Sequence, residues 1–80
     1  MRVIKSKDYP DTIGGRIKKN MYERNMTQGW LADMVFYSRK QICDMVNGHQ
    51  RIPADTLGSI AKILGVSCDY LIWGEDNNND

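Results

Sequence analysis

The sequence predicts an all-α fold: five short helices packed as one compact domain. Three observations carry this. Apolar residues recur at three- and four-residue spacing in separate stretches, the pattern of one buried helix face. No stretch alternates with period two for more than a few residues, so no strand pattern competes. Most stretches follow a residue suited to an N-cap and precede one that tolerates left-handed backbone. None of the helices is long enough to be stable alone, so each must bury its stripe against the others.

Residues 1–11 have little periodicity and contain Pro10; they read as an N-terminal arm. The helical domain is expected over 12–74. Asp11 or Thr12 can cap a first helix that begins at Ile13, where Ile13, Ile17 and Met21 repeat at four-residue spacing. Asn25 suits the stop. Thr27 caps a short second helix, Gln28 to about Met34, with Trp30, Leu31 and Met34 on one side. Ser38 caps a third, Arg39 to Asn47, whose inward residues are Ile42, Met45 and Val46; Gly48 ends it. His49–Pro53 is a loop. Leu57, Ile60, Ala61, Ile63 and Leu64 define a fourth helix ended by Gly65. Ser67 caps a fifth, Cys68–Trp73, stopped by Gly74. Residues 75–80 are acidic and Asn-rich, and a disordered tail is predicted there.

Composition excludes several classes. The 80 residues, 41% hydrophobic and 26% charged, suit one small globular domain and neither a disordered chain nor a strongly basic one. No apolar run approaches the ~18 residues of a membrane span, and Met1–Pro10 lacks the apolar core of a secretory signal. Two cysteines, Cys43 and Cys68, and one histidine, His49, cannot complete a four-ligand zinc site from Cys and His alone. Neither a metal nor a cofactor is expected, and a cytoplasmic location with both thiols reduced is.

Charge is distributed unevenly. Residues 13–53 carry seven Lys or Arg against three carboxylates, net +4, whereas residues 54–80 carry Lys62 against five carboxylates, net −4. Such asymmetry fits one polyanion-binding side, although solvated charged faces give the same tally.

The second and third helices form the unit with most functional content. A capped short helix, a turn of about four residues and a second capped helix make a helix-turn-helix layout. With Ile42, Met45 and Val46 inward, the third helix leaves Arg39, Lys40, Gln41, Cys43 and Asp44 outward or at the edge. Gln41 can bond adenine N6 and N7, Arg39 or Lys40 can reach guanine O6 and N7, and Asp44 can accept from cytosine N4. A polar outer face that is merely solvated is the alternative. Gln28, at the first position of the second helix, offers an amide and nearby free backbone N–H groups to a phosphate. Arg51 in the following loop is a further phosphate candidate.

The string Thr27-Gln28-x-x-Leu31-Ala32, Ser38, Ile42, Asn47-Gly48, Pro53, Leu57, Ile60-Ala61-x-x-Leu64-Gly65-Val66 resembles the Cro/repressor-type, lambda repressor-like helix-turn-helix family. The match extends from about Ile13 to Glu75. The resemblance implies a lambda repressor-like five-helix domain, with Gln28 and Asn47 on backbone phosphate. It also implies a sequence-specific, double-stranded DNA-binding transcription regulator, a repressor that occludes its operator. The rival expectation is a protein-interaction module, such as an antitoxin or adaptor, which can also bind DNA; enzyme activity is not expected. Three positions depart from the family pattern: Phe36 stands where a glycine is usual, Gly29 weakens the second helix, and Met21 stands where many members have arginine.

Other residues have plainer expectations. His49 has no second ligand near it in sequence, and the two cysteines read as packing residues. Trp30 and Phe36 read as core or turn packing. One recognition helix reads only a few base pairs, so a homodimer on a palindromic operator is expected, joined through Ile72 and Trp73 of the fifth helix.

Overall fold

A computed structural model describes residues 9–74. The first eight residues of the expected arm and the expected tail at 75–80 lie outside the described residues. The helices are α1 Ile13–Glu23, α2 Gln28–Met34, α3 Arg39–Val46, α4 Ala54–Leu64 and α5 Cys68–Trp73, and there is no strand among the described residues.

Four helices begin on the hydroxyl that the sequence offered. Thr12 Oγ1 accepts from Gly15 N at 3.0 Å, Thr27 Oγ1 from Trp30 N at 3.0 Å, Ser38 Oγ from Gln41 N at 3.1 Å and Ser67 Oγ from Tyr70 N at 3.0 Å. The exception is α4, which starts after Pro53 with no side-chain cap and has Asp55 in its first turn, where the helix dipole favours a carboxylate.

The ends share one device. Asn25, Phe36, Gly48, Gly65 and Gly74 all have φ between 57° and 86°. In four of the five, the N–H just past the left-handed residue reaches back to a carbonyl of the last turn: Met26 to Met21 at 2.9 Å, Tyr37 to Ala32 at 2.9 Å, His49 to Asp44 at 2.8 Å and Val66 to Ala61 at 3.0 Å. The left-handed residue thus turns the chain and satisfies carbonyls that would otherwise be orphaned. At position 36 that residue is a phenylalanine, with φ 64°.

Every helix contributes to one core. Ile17, Leu31, Ile42, Ile60, Leu64 and Leu71 are its largest fully buried side chains. Helix α3 packs on α2 and α1, and α5 packs on α1 and α4. The α1–α3 approach is close enough to exclude a side chain at Gly14, where a Cβ would sit 2.0 Å from the carbonyl oxygen of Val46. Two buried polar residues, Asn20 and Thr56, are satisfied by side-chain hydrogen bonds. Asn20, 5% exposed, donates from Nδ2 to the Arg16 carbonyl at 2.8 Å and to Tyr70 Oη at 3.1 Å. Tyr37 Oη lies 3.1 Å from Thr56 Oγ1, tying the turn after α2 to α4.

The face of α2 differs from the expected one. Its buried residues are Leu31 and Ala32, with Val35 packed alongside, whereas Trp30 is 43% exposed and Met34 47%. At about 100° per residue, Val35 and Ala32 lie about 40° and 100° from Leu31 on one side, and Met34 and Trp30 about 60° and 100° on the other. Once Leu31 is fixed in the core, small Ala32 faces inward and the larger pair turns out. The expected packing role of Phe36 fails too: its side chain is 92% exposed.

Candidate nucleic-acid interface

The α2–turn–α3 unit is held by chemistry at three points. Thr27 caps α2, the Phe36 turn reverses the chain, and Ser38 with Gln41 forms a reciprocal capping box at the start of α3. In that box Gln41 N donates to Ser38 Oγ and Ser38 N donates to Gln41 Oε1 at 2.9 Å. Buried Ile42, Met45 and Val46 then fix which face of α3 looks outward.

That outward face carries the residues singled out from sequence. Arg39, Lys40 and Gln41 are exposed, and Asp44 is half-buried. Lys40 Nζ pairs with Asp44 Oδ2 at 3.1 Å, one helical turn on. The pair offsets the carboxylate at its own position, which is the residue on this face least suited to a polyanion. Gln41 Oε1 accepts from Ser38 N in the box, which orients the amide and leaves its Nε2 hydrogens and one lone pair of Oε1 unused. Arg39 is the remaining cation of the face.

The flanking residues form two groups. Gln28 is the first residue of α2 and is half-buried; it lines a shallow hollow with Lys18, Met21, Tyr22 and Met26. Asn47 is the C-cap of α3, one residue beyond the helix in which it was expected. It is exposed, as are Gly48, His49, Gln50 and Arg51 after it. Asn47 Oδ1 accepts from Lys18 Nζ at 2.8 Å, and its Nδ2 donates to Cys43 Sγ at 3.3 Å. Sequence reasoning missed Lys18. It lies 29 residues from Asn47 in the chain, so no local pattern joins them.

Of the two residues expected at a dimer contact, Trp73 is 67% exposed. Ile72 is half-buried and lines an open hollow of about 740 Å³ with Ile13, Ile52 and Leu57. Arg16, counted among the cations of the basic half, faces inward instead: its Nε donates to the Leu71 carbonyl at 2.8 Å, its Nη2 to the Ile72 carbonyl at 2.9 Å, and Nη1 pairs with Asp11. Both cysteines are free thiols, and the described residues contain no cluster of His, Cys, Asp or Glu that could hold a metal ion. No described helix is long and apolar enough to cross a membrane.

The helix-turn-helix family model matches residues 17–71, well over half of the chain. The chain belongs to the helix-turn-helix family. Residues 17–71 take in all of α2, α3 and α4, so the helix-turn-helix match and the two-helix unit above coincide. No curated relative matches the sequence. Among solved structures, the P22 c2 repressor in complex with a synthetic operator is similar at 26% identity, with a TM-score of 0.76 over 82% of this chain and 100% of that one. The DNA-binding domain of the P22 c2 repressor in solution is also similar: 26% identity, TM-score 0.71, 76% of this chain and 80% of that one. Hydroxypropylphosphonic acid epoxidase from S. wedmorenis shares the helix-turn-helix fold over 85% of this chain but only 36% of its own, at 23% identity and a TM-score of 0.70. The last likeness is one of fold alone.

Proposed function

We propose that this helix-turn-helix protein is a sequence-specific double-stranded DNA-binding transcription regulator, and a repressor that acts by occupying its operator. One observation carries the reading: the capped α2–turn–α3 unit presents Arg39, Lys40 and Gln41 outward, on a fold shared with the whole of a repressor chain solved on operator DNA. Helix α3 enters the major groove. Arg39 reads guanine, Lys40 and Asp44 act as a pair that opens or holds according to the base met, and Gln41 donates from Nε2. Gln28, Asn47 and Arg51 fall on the backbone and set the register without reading sequence. The protein works as a homodimer on a palindromic site, joined through Ile72 and Trp73, in the cytoplasm and without catalysis of its own.

A second reading, a protein-interaction module, draws support from Trp30, Met34 and Phe36, which leave apolar surface exposed on α2 and its turn. The two readings separate in a titration of labelled duplex with the purified chain. A DNA-binding regulator shifts the duplex with a steep inverse dependence on salt. No shift at low salt rejects the DNA-binding reading and leaves the interaction module.

A further inference from the structure

We infer that the open hollow beside the α1–α3 contact binds a small apolar carboxylate, an effector whose occupancy lowers affinity for DNA. The regulatory half rests on the DNA-binding function proposed above; the site itself does not. The hollow encloses about 740 Å³, within the range of sites for small organic ligands. Ile13 of α1, Val46 of α3, Leu57 of α4 and Ile72 of α5 line it, with Ile52 of the loop before α4. Ile13, Ile52 and Ile72 are each half-buried, so they show apolar surface to water here. The walls are set in advance, because Gly14 and Val46 also line the hollow and hold α1 and α3 too close for a Cβ at Gly14. An apolar body seated there covers side chains that now meet water, and that burial is the source of its affinity.

The charge at the rim selects the head group. Two cations, Arg16 and Arg51, and one carboxylate, Asp11, reach the hollow. Arg16 is committed to the Leu71 and Ile72 carbonyls and to Asp11, so those two charges answer each other. Arg51 is exposed and belongs to neither ion pair of the described residues. The charge left over is positive, and a carboxylate matches the fork of its guanidinium. Arg51 also lies in the loop that leaves α3, where the function proposed above puts it on backbone phosphate. A carboxylate that takes Arg51 removes a cation from the DNA contact and brings negative charge to that surface. Effector and duplex therefore oppose each other, and by linkage each weakens the other by the same factor.

Calorimetric titration of the wild-type chain with straight-chain carboxylates, hexanoate to decanoate, below their micelle concentrations tests the site without DNA. One equivalent binds, and affinity rises by up to about fourfold per added methylene. Octylammonium binds more weakly than octanoate. Arg51→Gln weakens octanoate by about fivefold, and Ile52→Trp, which fills the hollow, abolishes binding. Anisotropy of a labelled duplex, drawn from a random pool by the wild-type chain, tests the regulation. Saturating decanoate lowers duplex affinity of the wild type relative to acetate at equal concentration, and leaves that of Arg51→Gln unchanged. No saturable binding at any chain length, equal binding of octanoate and octylammonium, or binding unaltered in both variants overturns the site. Ile72 is shared with the proposed dimer contact, so carboxylate binding that weakens as chain concentration rises would seat a second copy in the hollow and overturn the site too. Carboxylate binding with unchanged duplex affinity overturns the regulation and leaves the proposed function standing. A wild-type chain that binds no duplex overturns that function and the regulation together, with the site still decided by calorimetry.

Discussion

Arg16 donates from Nε to the Leu71 carbonyl at 2.8 Å, bridging 55 residues of chain and fastening the last turn of α5 to α1. Its Nη2 takes the next carbonyl, that of Ile72, at 2.9 Å. A six-residue helix has too few internal hydrogen bonds to hold itself together, and of its last carbonyls it is that of Tyr70 that takes the Gly74 N–H, at 2.8 Å. The guanidinium supplies partners for those of Leu71 and Ile72, and its positive charge suits the negative end of the helix.

Arg16→Ala is expected to lower unfolding free energy by about 2–3 kcal/mol in denaturant melts, because it leaves two carbonyls without a charged donor in a side-chain site that is only 12% exposed. Arg16→Lys recovers part of the loss at most, since a single ammonium lacks the fork that spans adjacent carbonyls. A change below about 0.5 kcal/mol for Arg16→Ala would remove the Arg16 bonds to the Leu71 and Ile72 carbonyls from the account of stability.

Phe36 holds φ 64° with 92% of its surface exposed, so it bears the strain of a left-handed residue and gains almost no burial. Phe36→Gly relieves about 1–2 kcal/mol of that strain, offset in part by the greater freedom of glycine in the unfolded chain. The expected net effect is a gain of about 0.5–1 kcal/mol by thermal or urea melts. A loss of stability would contradict this description of the turn.

Gly14 and Gly58 are predicted to respond to alanine with opposite signs. A Cβ at Gly14 would overlap the Val46 carbonyl oxygen at 2.0 Å, so α1 and α3 would have to separate; a loss of about 2 kcal/mol or more is expected. Gly58 lies inside α4 with nothing within 4 Å of an added Cβ, and alanine there should gain about 1 kcal/mol from helix propensity. Paired urea melts check both, and equal effects would show that the α1–α3 approach is looser than described.

Much of this fold was legible in the sequence because its signals are local. The hydroxyl caps at Thr12, Thr27, Ser38 and Ser67, and the left-handed stops at Asn25, Gly48, Gly65 and Gly74, act within four or five residues of themselves. What escaped was set by tertiary contact. Trp30 and Met34 are apolar and fit a helical stripe, yet only the fixed position of Leu31 in the core decides which side of α2 is inside. Lys18 and Arg16 look alike as cations on α1, but one reaches the end of α3 and the other the end of α5. The α3 face was legible as a polar surface. The engagement of Gln41 Oε1 with Ser38 N is also local, and the Ser-x-x-Gln spacing could have announced it.

The proposed dimer places Trp73 at the contact. Trp73→Ala should reduce the stoichiometry on a selected palindromic duplex from two chains to one in sedimentation experiments, with monomer stability nearly unchanged because the indole is already 67% exposed. Two α3 helices in successive major-groove faces need a separation of about 34–36 Å. Two chains per duplex in the Trp73→Ala variant would move the contact elsewhere.

The central claim is that the outward face of α3 reads bases, and Arg39 tests it most directly, since it is exposed and is the cation of that face outside the Lys40–Asp44 pair. The measurement is the affinity of wild type and Arg39→Ala for a selected duplex and for a random one at the same salt. The account predicts that Arg39→Ala weakens binding to the selected duplex by about 1–3 kcal/mol more than to the random one, and relaxes selection at one or two guanine positions. Equal losses on both duplexes, with the selected sequence unchanged, would contradict it.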